Sequence, residues 1–115
     1  AKYYIPLLKD LKKEQFRLVL LNIKNRIIKE VMVSQGSLTS SIVHPREVLK
    51  AAIKASAASV IFLHNHPSGD PEPSIDDIEI TNRLCKSCAI VGISVLDHLI
   101  VGEGGYFSFR QKNMI

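Results

Sequence analysis

The sequence predicts an α/β fold in which a mixed β-sheet is flanked by helices. Two observations carry this. Short apolar runs of strand length, FRLVLLNI (16–23), SVIFLH (59–64) and ISVLDHLIV (93–101), recur along the chain. Between them lie two stretches whose apolar residues repeat at helical spacing, so strands alternate with helices as in a sheet with helices packed on it. The 115 residues are 46% hydrophobic and 23% charged, the balance of one globular domain spanning 1–115.

The first run is rich in strand formers and is followed by KNRII, with Asn25 at a turn. A hairpin is therefore expected into a second strand, IIKEVMVSQ (27–35), with Ile27, Val31 and Val33 on one face and Gly36 at its end. HPREVLKAAIKASAAS reads as a helix. Pro45 suits a first-turn position, Glu47 suits the positive end of the helix dipole, and Val48, Ala51, Ala52 and Ala55 recur at helical spacing. SVIFLH is continuously apolar, as a strand covered on both faces would be. After a Pro-rich loop a second helix is expected to start at Ser74 and end near Gly92, with Ile78, Leu84 and Cys85 or Cys88 inward. Residues 93–101 form another buried strand, and YFSFR (106–110) a short last one after Gly104 and Gly105.

No apolar run reaches the roughly 18 residues of a membrane span, and AKYYIPLLKD lacks the apolar core of a secretory signal. Cys85 and Cys88 are spaced i, i+3, poorly placed to bridge each other on a helix; the C-x-x-C pair could bind a metal, but a lone pair in a helical stretch is more often two small core residues. With no disulfide framework, a reducing, cytoplasmic setting is expected. The chain begins without Met, and a fragment of a longer protein is expected. Lys9, Lys12, Lys13, Arg17, Lys24, Arg26 and Lys29 crowd the first quarter of a chain of net charge +4. They read as a solvated face, or as a basic surface for nucleic acid.

The loop FLHNHPSGDPEPSIDD (62–77) concentrates chemistry. In an extended segment His64 and His66 project to the same side, so two imidazoles at a strand's end can grip one ion. Asp77, eleven residues after His66, can return as a third ligand from the first turn of the next helix. Two His and one carboxylate leave the fourth position of a tetrahedral zinc site to water. A second reading competes for two of these residues: SIDD is a capping box, with Ser74 at N-cap and Asp77 at N3. It leaves the histidines unexplained, because two same-face imidazoles at a buried strand end need polar partners.

The spacing H-x-H-x7-S-x2-D, met here by His64, His66, Ser74 and Asp77, resembles the JAMM motif of the JAB/MPN superfamily, whose domains are cytidine-deaminase-like α/β folds. VHPREV (43–48), HNHPSGDPEPS (64–74) and DHLIVG (97–102) are similar to its RadC branch, and the likeness runs from about Glu14 to about Phe109. The resemblance implies Zn2+ held by His64, His66 and Asp77, a Ser74 that stabilises the tetrahedral intermediate, and an upstream glutamate as general base. Glu14, fifty residues before His64 and just ahead of the first strand, fits that base; Glu30 would need another register, and Glu47 is accounted for as a helix first-turn acid. Asn65 stands between the histidines where eukaryotic deubiquitinases carry Ser or Thr, which argues against ubiquitin-type substrates.

The function so implied is hydrolysis of peptide or isopeptide bonds in a peptide or protein substrate. The alternative is a nucleic-acid-associated DNA repair accessory module without protease activity, the traditional label of RadC relatives. A zinc nucleobase deaminase ranks last: its signature needs H-x-E and P-C-x-x-C, whereas His66 follows His64 by two and Leu84 precedes Cys85. Asp97 and His98 read either as a pair orienting a metal ligand or as groups satisfying each other or the backbone, and His44 as a turn residue rather than a ligand.

Overall fold

A computed structural model describes residues 14–35 and 43–115. Strands β1 (Gln15–Leu21) and β2 (Ile27–Gln35) form a hairpin. Its turn is closed by Asn22, whose side-chain oxygen accepts the N–H groups of Lys24 (2.9 Å) and Arg26 (3.1 Å), while Asn25 takes the left-handed conformation at φ 60°. Helix α1 (Pro45–Lys54), strand β3 (Ser59–Asn65), helix α2 (Ile75–Ile90), strand β4 (Ser94–Gly102) and strand β5 (Gly105–Ser108) follow. The sheet order is β2-β1-β3-β4-β5. Only β3 and β4 pair in parallel among the described strands, and α2 is the crossover between them.

Both helices pack on one face of the sheet. Phe16, Leu18 and Leu20 of β1 and Val60 and Phe62 of β3 meet Val48 and Ala52 of α1 and Ile80, Leu84 and Cys88 of α2. Val19, Leu21, Leu63, Leu99 and Val101 alternate onto the other face. The predicted architecture is therefore present, element for element among the described residues.

Three details depart from expectation. Ile27 is 56% exposed, because the register shift between Leu20 and Leu21 sets it opposite Leu21 and out of phase with Val31; Val31 and Val33 do pack on the core. Cys85 is only half-buried while Cys88 is fully enclosed, and both are free thiols. Strand β5 stops at Ser108, since the chain then curls, with the Lys112 N–H donating to the Ser108 carbonyl. Lys9, Lys12, Lys13 and Gly36 lie outside the described residues. Lys24, Arg26 and Lys29 are exposed, and Arg17 pairs with Glu30 at 2.9 Å. No helix among the described residues is long and apolar enough to cross a membrane.

Candidate metal centre and catalytic site

Strand β3 delivers His64 and His66 at its C-terminal end, the side on which open α/β sheets place their ligands. Their rings stand edge to face, centroids 4.7 Å apart. His64 is fully buried; its Nε2 lies 3.2 Å from the Glu14 carboxylate and its Nδ1 3.4 Å from Oδ1 of Asp77. Neither ring nitrogen makes a hydrogen bond. His66 Nδ1 lies 2.8 Å from the Asp70 carbonyl and Nε2 lies 3.0 Å from Oδ2 of Asp77.

The loop between β3 and α2 is pinned from below. The His66 N–H donates to the Val101 carbonyl of β4 at 2.8 Å, and a Cβ at Gly102 would collide with the Gly69 carbonyl. Gly69 itself sits at φ 94°, so the turn that returns the chain toward Asp77 requires glycine on both sides of this contact.

Asp77 is where the two readings of SIDD meet. The capping box is present: the Ser74 hydroxyl oxygen accepts the Asp77 N–H at 3.1 Å, and Oδ2 of Asp77 accepts the Ser74 N–H at 2.8 Å. Yet the same carboxylate, 1% exposed, touches both imidazoles. One residue thus caps the helix and closes the site. Burial pushes its pKa up, but the hydrogen bonds from His66 and the Ser74 N–H outweigh that and hold it at about 2. Burial likewise opposes charge on His66; the bonds to Asp77 and the Asp70 carbonyl prevail and raise its pKa. Ser74 is exposed, and its cap role uses the oxygen as acceptor, leaving the hydroxyl proton to donate elsewhere.

Among the described residues, Glu14, His64 and His66 could hold a metal ion: one ligand atom from each lies within 4.8 Å of the others. The donor chemistry fits such an ion. A buried imidazole with both nitrogens unpartnered is costly unless something takes its lone pair. His66 meets the second requirement of a ligand: with Nδ1–H donated to a backbone carbonyl, loss of the Nε2 proton that faces Asp77 turns Nε2 into the lone-pair nitrogen. The Glu14 carboxylate lies 3.2 Å from His64 Nε2 and 4.0 Å from His66 Nε2, whereas Glu30 is held by Arg17 and Glu47 sits exposed in the first turn of α1.

Asp97 and His98 are not a pair. The Asp97 carboxylate accepts the His98 and Arg110 N–H groups and the Ser108 hydroxyl, securing the chain after β5. The His98 ring points the other way, stacked on Phe109 at 4.7 Å, with Nδ1 2.6 Å from the Thr81 hydroxyl. That hydroxyl donates to the Asp77 carbonyl at 2.7 Å, so its oxygen accepts from Nδ1–H of His98. Thr81, which no motif singles out, is thereby the link between His98 and the helix turn that carries Asp77. Its only sequence signal is a polar residue one turn after Asp77 on the inward face. Complete burial pushes the His98 pKa down to about 3.

A five-stranded mixed sheet with helices on one face, a pair of histidines at the end of a central strand and a carboxylate on each side of them define a JAB-type domain. The RadC-like JAB domain model matches residues 1–114, and the chain belongs to that family. It is 54% identical over 114 residues to a UPF0758 protein of Symbiobacterium thermophilum and 57% identical over 114 residues to one of Clostridioides difficile, covering 99% of this chain in both cases. A UPF0758 protein of the archaeon Methanosarcina barkeri is 51% identical over 110 residues, 96% of this chain. The chain spans about half the length of these curated relatives, 49%, 48% and 48% of them respectively.

Proposed function

We propose that this domain is a zinc-dependent hydrolase of amide bonds, acting on peptide or isopeptide linkages in a peptide or protein substrate. The observation that carries the reading is the buried His64 ring, both nitrogens without a hydrogen-bond partner, set between the carboxylates of Glu14 and Asp77. Of the two carboxylates beside His64 and His66, Asp77, which contacts both rings, would join them in holding the ion, and Glu14, although its oxygen also lies within reach of an ion on the two imidazoles, would act on the water. Zinc, when bound, lowers the pKa of water to near 7 and withdraws electron density from a carbonyl.

The chain's own groups supply the rest. Glu14 takes a proton from the attacking water as the new C–O bond forms. The Ser74 hydroxyl proton, unused by the cap, donates to the oxygen that gains charge in the tetrahedral intermediate. Glu14 then returns its proton to the leaving nitrogen as the C–N bond breaks, so water is added across the amide and no other reactant is consumed. Charge around the site supports a peptide over a phosphate backbone. No Lys or Arg occurs between Lys54 and Arg83, whereas Asp70, Glu72, Asp76 and Glu79 surround the ligand loop.

Zinc-loaded protein incubated with a peptide library tests the reading. The wild type should cleave, and Glu14→Gln should lower kcat by about 10²–10⁴-fold with bound zinc retained. Cleavage that survives Glu14→Gln, or a zinc-loaded wild type that cleaves nothing, would reject it.

A further inference from the structure

We infer that Asn65 is a positioning residue: its buried side chain fixes the segment that presents Glu14 to the two histidines. The inference rests on the reading of Glu14 as the proton carrier and adds how that group is held.

The registered ladder between β1 and β3 runs from Leu21↔Ser59 to Phe16↔His64 and ends there. Glu14 lies two residues beyond the last pair, outside any strand. Main-chain pairing to β3 therefore does not reach it. Phe16 is well anchored, its ring against Phe62, His64 and His98, and Gln15 is registered opposite Gln35 of β2, but on the β3 side, where the histidines lie, the ladder leaves the residue next to Glu14 unheld. Continuing the register sets Gln15 opposite Asn65. At that point the Gln15 N–H donates to the side-chain oxygen of Asn65, at 2.6 Å, instead of to a β3 carbonyl. Asn65 is 1% exposed, and its backbone is held in the parallel pairing with Val101 of β4. The amide thus extends the sheet by one contact, from the strand that carries both histidines to the residue next to Glu14.

A brace on the opposite side of Gln15 supports the same placement. Its side-chain oxygen accepts from Arg17 Nε at 2.9 Å, and Arg17 Nη1 meets Glu30 at 2.9 Å. Gln15 is thus held through its main chain by Asn65 on the β3 side and by its pairing with Gln35 on the β2 side, and through its side chain by Arg17. The position between the histidines is set by this contact: Asn supplies a short acceptor that aliphatic residues lack. Misplacement of a reacting group by about 1 Å can cost about 10²-fold in rate, so a contact one residue from the proton carrier matters.

Nuclear magnetic resonance on the whole domain decides the matter without turnover. In the wild type, a scalar coupling across the hydrogen bond should connect the Gln15 amide nitrogen to the Asn65 side-chain carbonyl carbon. Its absence overturns the proposal. In Asn65→Leu the Gln15 amide should exchange about 100-fold faster and the Glu14–His64 nuclear Overhauser contact should vanish. Zinc affinity, measured by chelator competition, should stay within about 3-fold, because the ligands His64, His66 and Asp77 are untouched. Asn65→Asp keeps an acceptor oxygen and should restore both protection and contact. Wild-type protection with an intact Glu14–His64 contact in Asn65→Leu overturns the inference, as does loss of both in Asn65→Asp. With a cleavable peptide, Asn65→Leu should lower kcat about 100-fold at unchanged KM. A wild type that cleaves no peptide rejects the hydrolase reading, while the coupling and exchange results still decide the role of Asn65.

Discussion

Helix α1 turns Val48 and Ala52 toward the sheet, whereas α2 turns Asp77 and Thr81 toward the same face beside Ile80, Leu84 and Cys88. The ends differ as well. His44 caps α1 without any side-chain hydrogen bond, and Pro45 opens it; α2 begins with a complete capping box. Nothing in α1 needs to be placed more finely than packing requires, and its apolar stripe does that. In α2 the first turn carries a group that must meet two imidazoles, so it is fixed from three sides: the Ser74 cap, the His66 contact and the Thr81 bridge to His98. A helix that buries polar side chains beside a strand end is holding a site in place; a helix that buries only Val and Ala is holding the domain together.

The sharpest way to break that comparison is to separate the two duties of Asp77. In Asp77→Asn the side-chain oxygen can still accept the Ser74 N–H, so the cap survives, but the negative charge facing both rings is gone. Zinc affinity should fall by more than about 100-fold, beyond the loss expected from an outer partner of a ligand, while the melting temperature of the metal-free protein moves by a few degrees at most. Glu47→Gln, the same change in the first turn of α1, should leave zinc affinity untouched. An Asp77→Asn protein that binds zinc as the wild type does would reduce Asp77 to a cap.

Acid should expose the polar interior of α2 next. The folded pKa of His98 is about 3 against an ordinary value near 6.5, so between these pH values the unfolded chain takes up a proton that the folded chain refuses. The stability from its neutral burial is complete above about pH 6.5 and is lost as pH falls toward 3, by up to about 1.4 kcal/mol per pH unit. Asp77, held at about 2, adds a loss of the same sign below its ordinary 3.8. His66, raised, works in the opposite sense, its contribution disappearing as pH rises above 6.5. Denaturant titrations of metal-free protein from pH 6 to pH 4 should show the fall, and His98→Phe, which keeps a ring against Phe109, should flatten it. Equal slopes in the two proteins would show that His98 is not the group responsible. At neutral pH, Thr81→Val should cost about 1–3 kcal/mol by leaving the His98 Nδ1–H unsatisfied in the core.

The contrast between the helices also marks what could be read from residues alone. Period and punctuation sufficed for the order of elements, because strand runs such as 59–64 and the Ala-rich spacing of 45–54 are local patterns. His64, His66 and Asp77, which the structure brings into contact, stand out because one loop carries them at fixed spacing; Glu14, fifty residues before His64, is singled out only by the resemblance to the family. What escaped lies across the sheet. The displacement of Ile27 comes from a register shift set by pairing with β1, not by any pattern within β2. The partner of the His98 ring is Thr81, seventeen residues back on another element, while Asp97 satisfies backbone N–H groups, as one of the two readings of that pair has it, because adjacent strand residues face opposite sides. Asn65 registered only as a departure from Ser or Thr, since its contact with Gln15 spans fifty residues.

The smallest effect tests α1, where a cap is missing and no site depends on it. His44 has the extended backbone of an N-cap residue, φ −99° and ψ 127°, but offers no side-chain bond to the first turn. Pro45 occupies the next position and Glu47 stands three residues on, so His44→Ser would complete the S-x-x-E capping box. The Ser hydroxyl would accept an N–H of the first turn as Ser74 does from Asp77, and the Glu47 carboxylate could reach back to the N–H of residue 44. A gain of about 0.5–1 kcal/mol is expected, seen as a rise of about 2–4 °C in melting temperature. Zinc affinity should not change, because nothing of α1 touches Glu14, His64, His66 or Asp77 among the described contacts. A stabilised domain with altered metal binding would mean that the two helices are coupled, and that α1 is part of the frame that sets the site.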